Sequence, residues 1–433
     1  MITTRSDPAL PLHRYRTRGQ MVEIRAEDLR FSRQEVSSYM EKIGRVLLNS
    51  TELATLERRT EGWVAGLQMV AISLRGKSDQ EQFIRALAGT NRFILDYLVE
   101  EVLSTQPDEV QKFLMETAIL DRLCASLCDA LTKIGTDASQ ELLQYLERAN
   151  LFIIPLDDER SWYRYHHLFR DLLVMRLKQS FPERLSALHR SAADWFEKNG
   201  WISEAVHHNI QAGDFDRAAD LVERHSLALF AQGNLDQMVG WIRKLPADLS
   251  AHRPWLSIYQ AWALAFMGKN IEAEEHIEIA IRSLDQSVPS LAERKKLWTE
   301  IHGIRGLLAI TSASPIKALA LADLLEEEVP QESLFARSVI LWSLGYAWRM
   351  QGELARAVAA FREVLSIGRQ IDNLWTMSTG FADLGMALRL SGRLNEAETV
   401  FRDGLDIMRQ AGASGLGFIG RLQSFLASIL YEQ

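Results

Sequence analysis

The chain has few of the residues that cross-link or break a fold. Of its 433 residues, 2 are cysteine and 10 are proline. The cysteines, Cys124 and Cys128, are four residues apart, which puts both on one face of a helix, and we interpret them as reduced core residues. This usage excludes a disulfide framework and predicts a cytoplasmic location. Scarce proline and the helical spacing of the apolar residues predict a mainly α-helical protein.

Long apolar runs and an excess of positive charge are also missing. The longest mostly apolar stretch, WLSIYQAWALAFMG, has 14 residues and is too short to span a bilayer. The N-terminus lacks the apolar core of a signal peptide. The 57 acidic residues outnumber the 49 basic ones, which gives a net charge of −8 and no broad basic surface. We therefore expect neither membrane binding nor direct nucleic-acid binding.

The C-terminal half contains an internal repeat. Residues 344–370 align without gaps on residues 384–410, a period of 40 with 13 of 27 pairs identical. In each copy a glycine, Gly352 or Gly392, stands where a first helix must end and the chain reverse. An alanine and a phenylalanine follow on a second helix and face the first. This pattern predicts helix pairs of the tetratricopeptide kind, stacked as a solenoid from about residue 185 onwards. Weaker copies surround Gly213 and Gly268.

The N-terminal third follows a different pattern. Residues 1–30 are predicted to be irregular or to contain a strand. Amphipathic helices follow, beginning at Ser32 as an N-cap with Glu35 three residues later. Three short helices are predicted between residues 107 and 150, and then two extended runs around the polar turn Asp157–Arg160. Three helices with a β-hairpin are the plan of a winged helix.

Five sequence blocks carry a family resemblance. In chain order they are TTRSDPALPLHRYRTRGQMVEIRAEDLRFS, EGWVAGLQMVAISLRG, NLFIIPLDDERSWYRYHHLFRDLL, ALHRSAADWFEKNGWISEAVHHNIQAGDFDRAADLVE and WIRKLPADLSAHRPWL. Together they resemble the MalT-like, LuxR-type large ATP-binding transcription regulators, which are signal-transduction ATPases of the NB-ARC-like class. The resemblance implies a helical domain and a winged helix, followed by a tetratricopeptide-like α-solenoid.

The resemblance also implies domain boundaries. Residues 1–30 would be the end of a nucleotide-binding domain, 31–105 a helical domain, 106–184 a winged-helix domain and 185–433 an incomplete MalT-like repeat superhelix. Family members carry a P-loop before this part and a helix-turn-helix after it. No G-x-x-x-x-G-K-[ST] occurs in the sequence, and no aspartate ends an apolar strand as a magnesium ligand. We therefore expect no catalysis by this chain, and ATP or ADP would belong to a full-length protein.

Two residues match positions of the family's nucleotide site. Arg5, in TTR, matches the sensor arginine that reads the terminal phosphate. His166, in YHHLFRDLL, matches the winged-helix histidine that contacts the ADP β-phosphate. The alternatives are a solvated arginine and a packing or capping histidine, since His166 and His167 are adjacent. No catalytic residue is predicted. No metal ligand is predicted either, because a two-metal site needs two E-x-x-H motifs and the sequence has a single one, at Glu204 and His207.

The repeats suggest the function. Trp342, Trp348 and Trp375 are expected mostly to fill helix-pair interfaces, with one or two on the concave side where they would hold a ligand. We expect the superhelix to bind a small-molecule inducer or a regulatory protein and to signal through the winged helix. The chain would then be the sensing part of an ATP-dependent LuxR/MalT-type transcription regulator. The alternative is a stand-alone repeat adaptor without ATPase or DNA-binding activity, and self-association is left open.

Overall fold

The computed structural model describes residues 12–24, 28–74, 84, 97–231, 234–286, 290–321, 333–411 and 417–432. The chain divides into two compact units, residues 1–214 and 215–433. The described secondary structure is helical except for one two-stranded sheet and an isolated β-bridge between Leu123 and Tyr163, both in the first unit, so the fold is mainly α as predicted. Within the described ranges, no helix has the length and apolar character needed to cross a membrane.

The first unit begins with short helices. They are α1 (Leu12–Thr17), α2 (Arg33–Tyr39, continued as a π-helix Met40–Gly44), α3 (Ser50–Thr60), α4 (Val64–Leu74) and a second π-helix, Leu98–Leu103. The start of α2 is the predicted one, because Ser32 and Glu35 form a capping box in which the Glu35 carboxylate accepts the Ser32 backbone N–H at 2.8 Å. The RYRTR run was expected to be irregular or strand-like, but it lies mostly in α1.

Three helices, a β-hairpin and a further helix follow. They are α5 (Asp108–Thr117), α6 (Ala125–Thr132), α7 (Thr136–Arg148), β1 (Ile153–Pro155), β2 (Tyr163–Tyr165) and α8 (His167–Ser180). The strands pair antiparallel, with Ile153 opposite Tyr165. The predicted polar turn joins them, because the Asp157 carboxylate accepts the backbone N–H groups of Ser161 and Trp162 at 2.8 and 3.0 Å. This arrangement is the predicted winged helix.

The two cysteines occupy different environments. Cys128 lies inside α6 and is fully buried, which raises the pKa of its thiol. Cys124 is the N-cap of the same helix and is partly exposed. The expectation that both are core residues on one helical face is therefore wrong for Cys124, because α6 begins one residue after it.

The first unit ends with two helices that pack against each other, α9 (Pro182–Lys198) and α10 (Ile202–Ala212). Their interface holds a buried histidine pair, His189 and His208, whose Nδ1 atoms are 2.8 Å apart. Phe196 stacks on the His208 ring with centroids 5.3 Å apart. Burial lowers the pKa of His189 to about 4 and that of His208 to about 3, so both rings are neutral and one Nδ1–H donates to the other Nδ1.

The second unit is built from paired helices. They are α11 (Phe215–Ala231), α12 (Leu235–Ile242), α13 (Ala247–His252), α14 (Pro254–Phe266), α15 (Asn270–Gln286), α16 (Leu291–Thr311), α17 (Pro315–Leu319), α18 (Leu334–Met350), α19 (Leu354–Gln370), α20 (Leu374–Leu390), α21 (Leu394–Gln410) and α22 (Gly417–Glu432). The pairs α18–α19 and α20–α21 are the two copies of the sequence repeat. Each pair turns at the predicted glycine, Gly352 or Gly392, with a φ of 83° or 73°.

Close packing within each pair depends on a further glycine in the first helix. Gly345 of α18 lies against Phe361, and Gly385 of α20 lies against Phe401. A Cβ atom at Gly385 would be 2.4 Å from the Phe401 ring. The alanine two residues after each glycine, Ala347 or Ala387, is fully buried. In each pair, the backbone of the first helix therefore packs directly against a phenylalanine ring of the second helix.

Candidate functional site

The two residues predicted from the family's nucleotide site are Arg5 and His166. Arg5 lies outside the described residues, so its role stays a prediction. His166 is the N-cap of α8 and is 4% exposed. Its Nδ1 accepts the backbone N–H of Leu168 at 3.3 Å, and its Nε2 is 3.0 Å from the carbonyl oxygen of Thr60. Because Nδ1 accepts, the proton is on Nε2, which donates to Thr60.

His166 therefore uses both ring nitrogens within the chain. Burial lowers its pKa, which favours the neutral ring that both contacts need. The capping role that the sequence left open is present. A contact with a phosphate stays a prediction, and it would replace one of these two hydrogen bonds. His167 begins α8 and its side chain is 42% exposed, so the adjacent histidines have different surroundings.

An ion-pair cluster lies beside His166. Glu61 follows α3 in the left-handed conformation, with a φ of 48°. Its carboxylate accepts hydrogen bonds from the Arg164 guanidinium of β2 at 2.7 and 2.9 Å and from the backbone N–H of His167 at 3.3 Å. Burial alone would raise the pKa of Glu61, but the hydrogen bonds and charge of Arg164 lower it to about 2. These contacts fasten the end of α3 to the winged helix.

The second unit carries a cluster of aromatic side chains from three helices. This aromatic cluster consists of Trp262 and Phe266 of α14, Phe335 and Trp342 of α18, and Trp375 of α20. The Trp375 ring lies 5.0, 5.8 and 5.5 Å from the rings of Phe266, Phe335 and Trp342. Trp262 lies 5.3 Å from Phe335 and is only 3% exposed, whereas the other four side chains are partly exposed. One ring of the cluster therefore belongs to the core, and the other four reach the surface.

One end of the aromatic cluster is charged. The Trp342 indole N–H donates to the Asp383 carboxylate at 2.7 Å. The same carboxylate accepts a hydrogen bond from Arg421 of α22 at 2.8 Å. The Nη2 atom of Arg349 lies 3.6 Å from Asp383 Oδ1. We call Arg349, Asp383 and Arg421 the arginine end, and there two guanidinium groups face one carboxylate.

The other end of the cluster holds a buried acid. The Trp262 indole N–H donates to Glu300 of α16 at 2.9 Å. Burial raises the pKa of Glu300 to about 7, although hydrogen bonds from Trp262 and Ser333 partly oppose the shift. The indole N–H groups of Trp262 and Trp342 both bind carboxyl groups, which fixes the orientation of these two rings.

Two other sequence expectations concern single residues. Trp348 lies apart from the aromatic cluster, is partly buried, and carries the Arg356 guanidinium 4.5 Å from its ring centroid. Glu204 forms an ion pair with Arg122, whose guanidinium lies 3.7 Å over the Trp201 ring. Across the part of the chain that the structure describes, no group of three or more histidine, cysteine, aspartate or glutamate side chains is placed to hold a metal ion.

Comparison with known families assigns two parts of the chain. Residues 99–185 match the MalT winged helix domain, and residues 299–433 match the MalT-like TPR region. The chain is MalT-like. The winged-helix match contains His166 and Arg164, and the MalT-like repeat match contains the whole arginine end.

Several known proteins are similar to this MalT-like chain. The serine/threonine-protein kinase PknK of two Mycobacterium tuberculosis strains and of Mycobacterium bovis is 34% identical over 263 residues. That match covers 61% of this chain and 24% of each kinase, so the chain spans about a quarter of the length of these relatives. A crystal structure of a signal transduction ATPase with numerous domains and a tetratricopeptide repeat sensor, from Pyrococcus horikoshii, matches with 12% identity and a TM-score of 0.39. It covers 93% of this chain and 69% of its own.

Sequence reasoning missed the four charged residues that adjoin the aromatic cluster: Glu300, Arg349, Asp383 and Arg421. A signal for Arg349 was present, because Phe335, Trp342 and Arg349 recur every seven residues and so share one face of α18. No local pattern marks Glu300 or Asp383. Their partners come from other helices, so only the packing of the repeats reveals them.

Proposed function

We propose that this MalT-like chain is the sensing and coupling region of an ATP-dependent LuxR/MalT-type transcription regulator. The observation that carries the proposal is the aromatic cluster, four of whose five side chains are partly exposed beside the arginine end. Aromatic faces with a few oriented polar groups are typical of ligand sites. The effector would be a small-molecule inducer or a regulatory protein.

The aromatic cluster is suited to couple binding to a change of packing. Its rings come from α14, α18 and α20, which belong to different helix pairs. A ligand that touches rings from several pairs favours the arrangement in which those rings are correctly spaced, because it has a higher affinity for that state. In the first unit, the contacts of His166 and Glu61 hold α3 against the winged helix, so that these two parts move together.

The kinase relatives fit a sensing role. By name they are serine/threonine-protein kinases, and the part similar to this chain makes up 24% of each. A region that is shared by protein kinases and by a transcription regulator fits a sensing role better than a catalytic role, because the activities of the two kinds of protein differ. The transcriptional output of this chain is our proposal from the MalT-like family.

We also propose that the chain by itself has no ATPase activity and binds neither DNA nor membranes. Nucleotide would act in a full-length protein, through a P-loop that this sequence does not contain. Isothermal titration of the purified chain with ATP and with ADP tests this. Binding in the micromolar range would contradict it.

A second candidate is a repeat adaptor that binds peptides. The partly exposed indoles favour it, since tryptophan is enriched at protein interfaces. Reading the genomic DNA on both sides of the reading frame separates the two candidates. An in-frame P-loop upstream and a helix-turn-helix downstream would support the regulator, whereas stop codons on both sides would support the adaptor.

The site of effector binding is tested by amide hydrogen exchange of the whole chain, in buffer and in a concentrated extract of its own host. We expect slower exchange in α18 and α20 in the extract, because their packing is fixed by a ligand on the cluster. Trp375→Leu should abolish this protection, and Trp348→Leu, at a half-buried tryptophan outside the cluster, should keep it. The proposal would be contradicted if the extract does not slow exchange in the wild-type chain, or if the two variants show the same degree of protection.

A further inference from the structure

The arginine end carries a positive charge that its own carboxylate does not balance. Among the described residues that pair there, Arg349 and Arg421 both face Asp383. The Arg349 pair is the weaker one, since 3.6 Å is longer than a hydrogen bond. The Nε atom of Arg349 is buried and has no hydrogen-bond partner within the described part of the chain. An anionic oxygen is the partner that such a guanidinium prefers.

The aromatic rings lie next to the arginine end. Phe335, Trp342 and Arg349 lie on one face of α18, and Trp342 is about 10 Å from Arg349 along the helix at 1.5 Å per residue. Trp375 of α20 packs against Trp342 with ring centroids 5.5 Å apart and is partly exposed. The Arg349 side chain is 16% exposed, so it also reaches the surface. A ligand of about 10 Å would therefore touch both the rings and the guanidinium.

The opposite end of the cluster has the opposite preference. Glu300 is a buried acid whose described hydrogen bonds come from neutral donors, the Trp262 indole and the Ser333 hydroxyl. A second anionic group there would be repelled whenever Glu300 is ionised. The cluster therefore has partly exposed aromatic faces in the middle, a cationic end at Arg349 and a buried acid, Glu300, at its other end.

We infer that the effector is a small molecule with a planar aromatic body and a single anionic group. Its rings pack on Trp342 and Trp375, and its carboxylate or sulfonate binds Arg349 and Arg421. This inference rests on the proposed function and adds the chemical class of the ligand. An uncharged aromatic compound would lack the partner for Arg349, and a dianion would place one charge toward Glu300.

Two fluorescent probes of the same skeleton test the inference. The first, 8-anilinonaphthalene-1-sulfonate, is an aromatic anion with a planar naphthalene ring system, and the second, N-phenyl-1-naphthylamine, is its neutral analogue. We expect the purified chain to bind the anion with one site and at least about tenfold more tightly than the neutral probe. Trp375→Leu should weaken both probes, because both need the ring face.

Charge variants separate the anion contact from general hydrophobic binding. Arg349→Gln should raise the Kd of the anionic probe about tenfold and change that of the neutral probe less than about twofold. Arg421→Gln, at a more exposed position, should act in the same direction and keeps the test valid where Arg349→Gln fails to fold. Asp383→Asn should lower the Kd of the anionic probe, because it removes the negative charge and keeps an acceptor for Trp342. Arg362→Gln, a surface arginine of α19, is the matched control and should change neither Kd.

The probe measurements distinguish a failure of the anionic ligand class from a failure of the aromatic cluster as a binding surface. Equal affinity for the two probes, or an anion Kd unmoved by both arginine variants, would overturn the anionic class while leaving an effector on the aromatic cluster intact. Weaker anion binding by Asp383→Asn would also overturn it. If Trp375→Leu leaves the Kd of both probes unchanged, the aromatic cluster is not the binding surface, and the result would count against the proposed function. Circular dichroism of each variant confirms that it is folded.

Discussion

The imidazole of His166 makes two structural contacts at once. It caps α8 through Nδ1 and holds the end of α3 through Nε2. Both contacts require the same neutral tautomer. Protonation would make Nδ1 a donor facing the N–H of Leu168, so the cap would be lost in the charged form.

Replacing His166 by asparagine should therefore cost less stability than replacing it by alanine. Both variants lose the hydrogen bond to Thr60, worth about 1 kcal/mol. Asparagine is a good N-cap, and loss of a cap costs about 1 kcal/mol more. Urea unfolding followed by far-UV circular dichroism measures the difference. Equal losses in the two variants would show that Nδ1 does not cap α8.

The buried pair of His189 and His208 gives a prediction about pH. Burial lowers their pKa values to about 4 and about 3, below the 6.5 of an unperturbed histidine. Unfolding therefore takes up protons below pH 6.5, and the free energy of unfolding should fall as the pH drops from about 6.5 to about 4. The double variant His189→Leu/His208→Leu should lose this part of the pH dependence, as measured by urea unfolding at several pH values. A double variant with the wild-type pH profile would refute the assignment.

At the scale of helices, the repeat uses glycine for two different reasons. Gly392 ends α20 with a φ of 73°, and no atom of the described residues lies within 4 Å of the place where a Cβ atom would be. Gly385 has ordinary helical geometry but lies against the Phe401 ring. The first glycine is required by the backbone, and the second by packing.

The two glycines should respond differently to substitution. Gly392→Ala should cost about 1 kcal/mol, the strain of an alanine in the left-handed region. Gly385→Val should cost about 3 kcal/mol, because the side chain must displace the Phe401 ring. Combining Gly385→Val with Phe401→Leu should recover part of that loss in a double-mutant cycle of unfolding free energies. Strictly additive losses would mean that the glycine and the ring are not in contact.

Much of this element-scale structure was predictable from the sequence. The 40-residue period encodes the helix pairs, and the glycine at each turn and the alanine that faces the first helix follow from helix geometry. The Asp157–Arg160 turn and the Ser32 cap are local patterns and were also predictable. The joining of α14, α18 and α20 by one aromatic cluster was not, because it depends on how successive pairs stack. The partners of Asp383 and Glu300 depend on the same stacking.

At the scale of the whole chain, the two candidate sites differ in how their polar groups are used. The His166 ring and the Glu61 carboxylate in the first unit pair within the protein. The arginine end of the second unit leaves a guanidinium incompletely paired beside partly exposed rings. This contrast is why we assign effector binding to the MalT-like repeats and a connecting role to the winged-helix unit.

The central claim is that the aromatic cluster controls a regulatory output. It is tested most directly by comparing the transcript profile of the host after three chromosomal changes: Trp375→Leu, Trp348→Leu, and deletion of the gene. We predict that Trp375→Leu changes the transcripts that deletion changes, while Trp348→Leu matches the wild type. A deletion without any effect on transcripts would contradict the account. So would a Trp375→Leu profile identical to the wild type while the deletion profile differs.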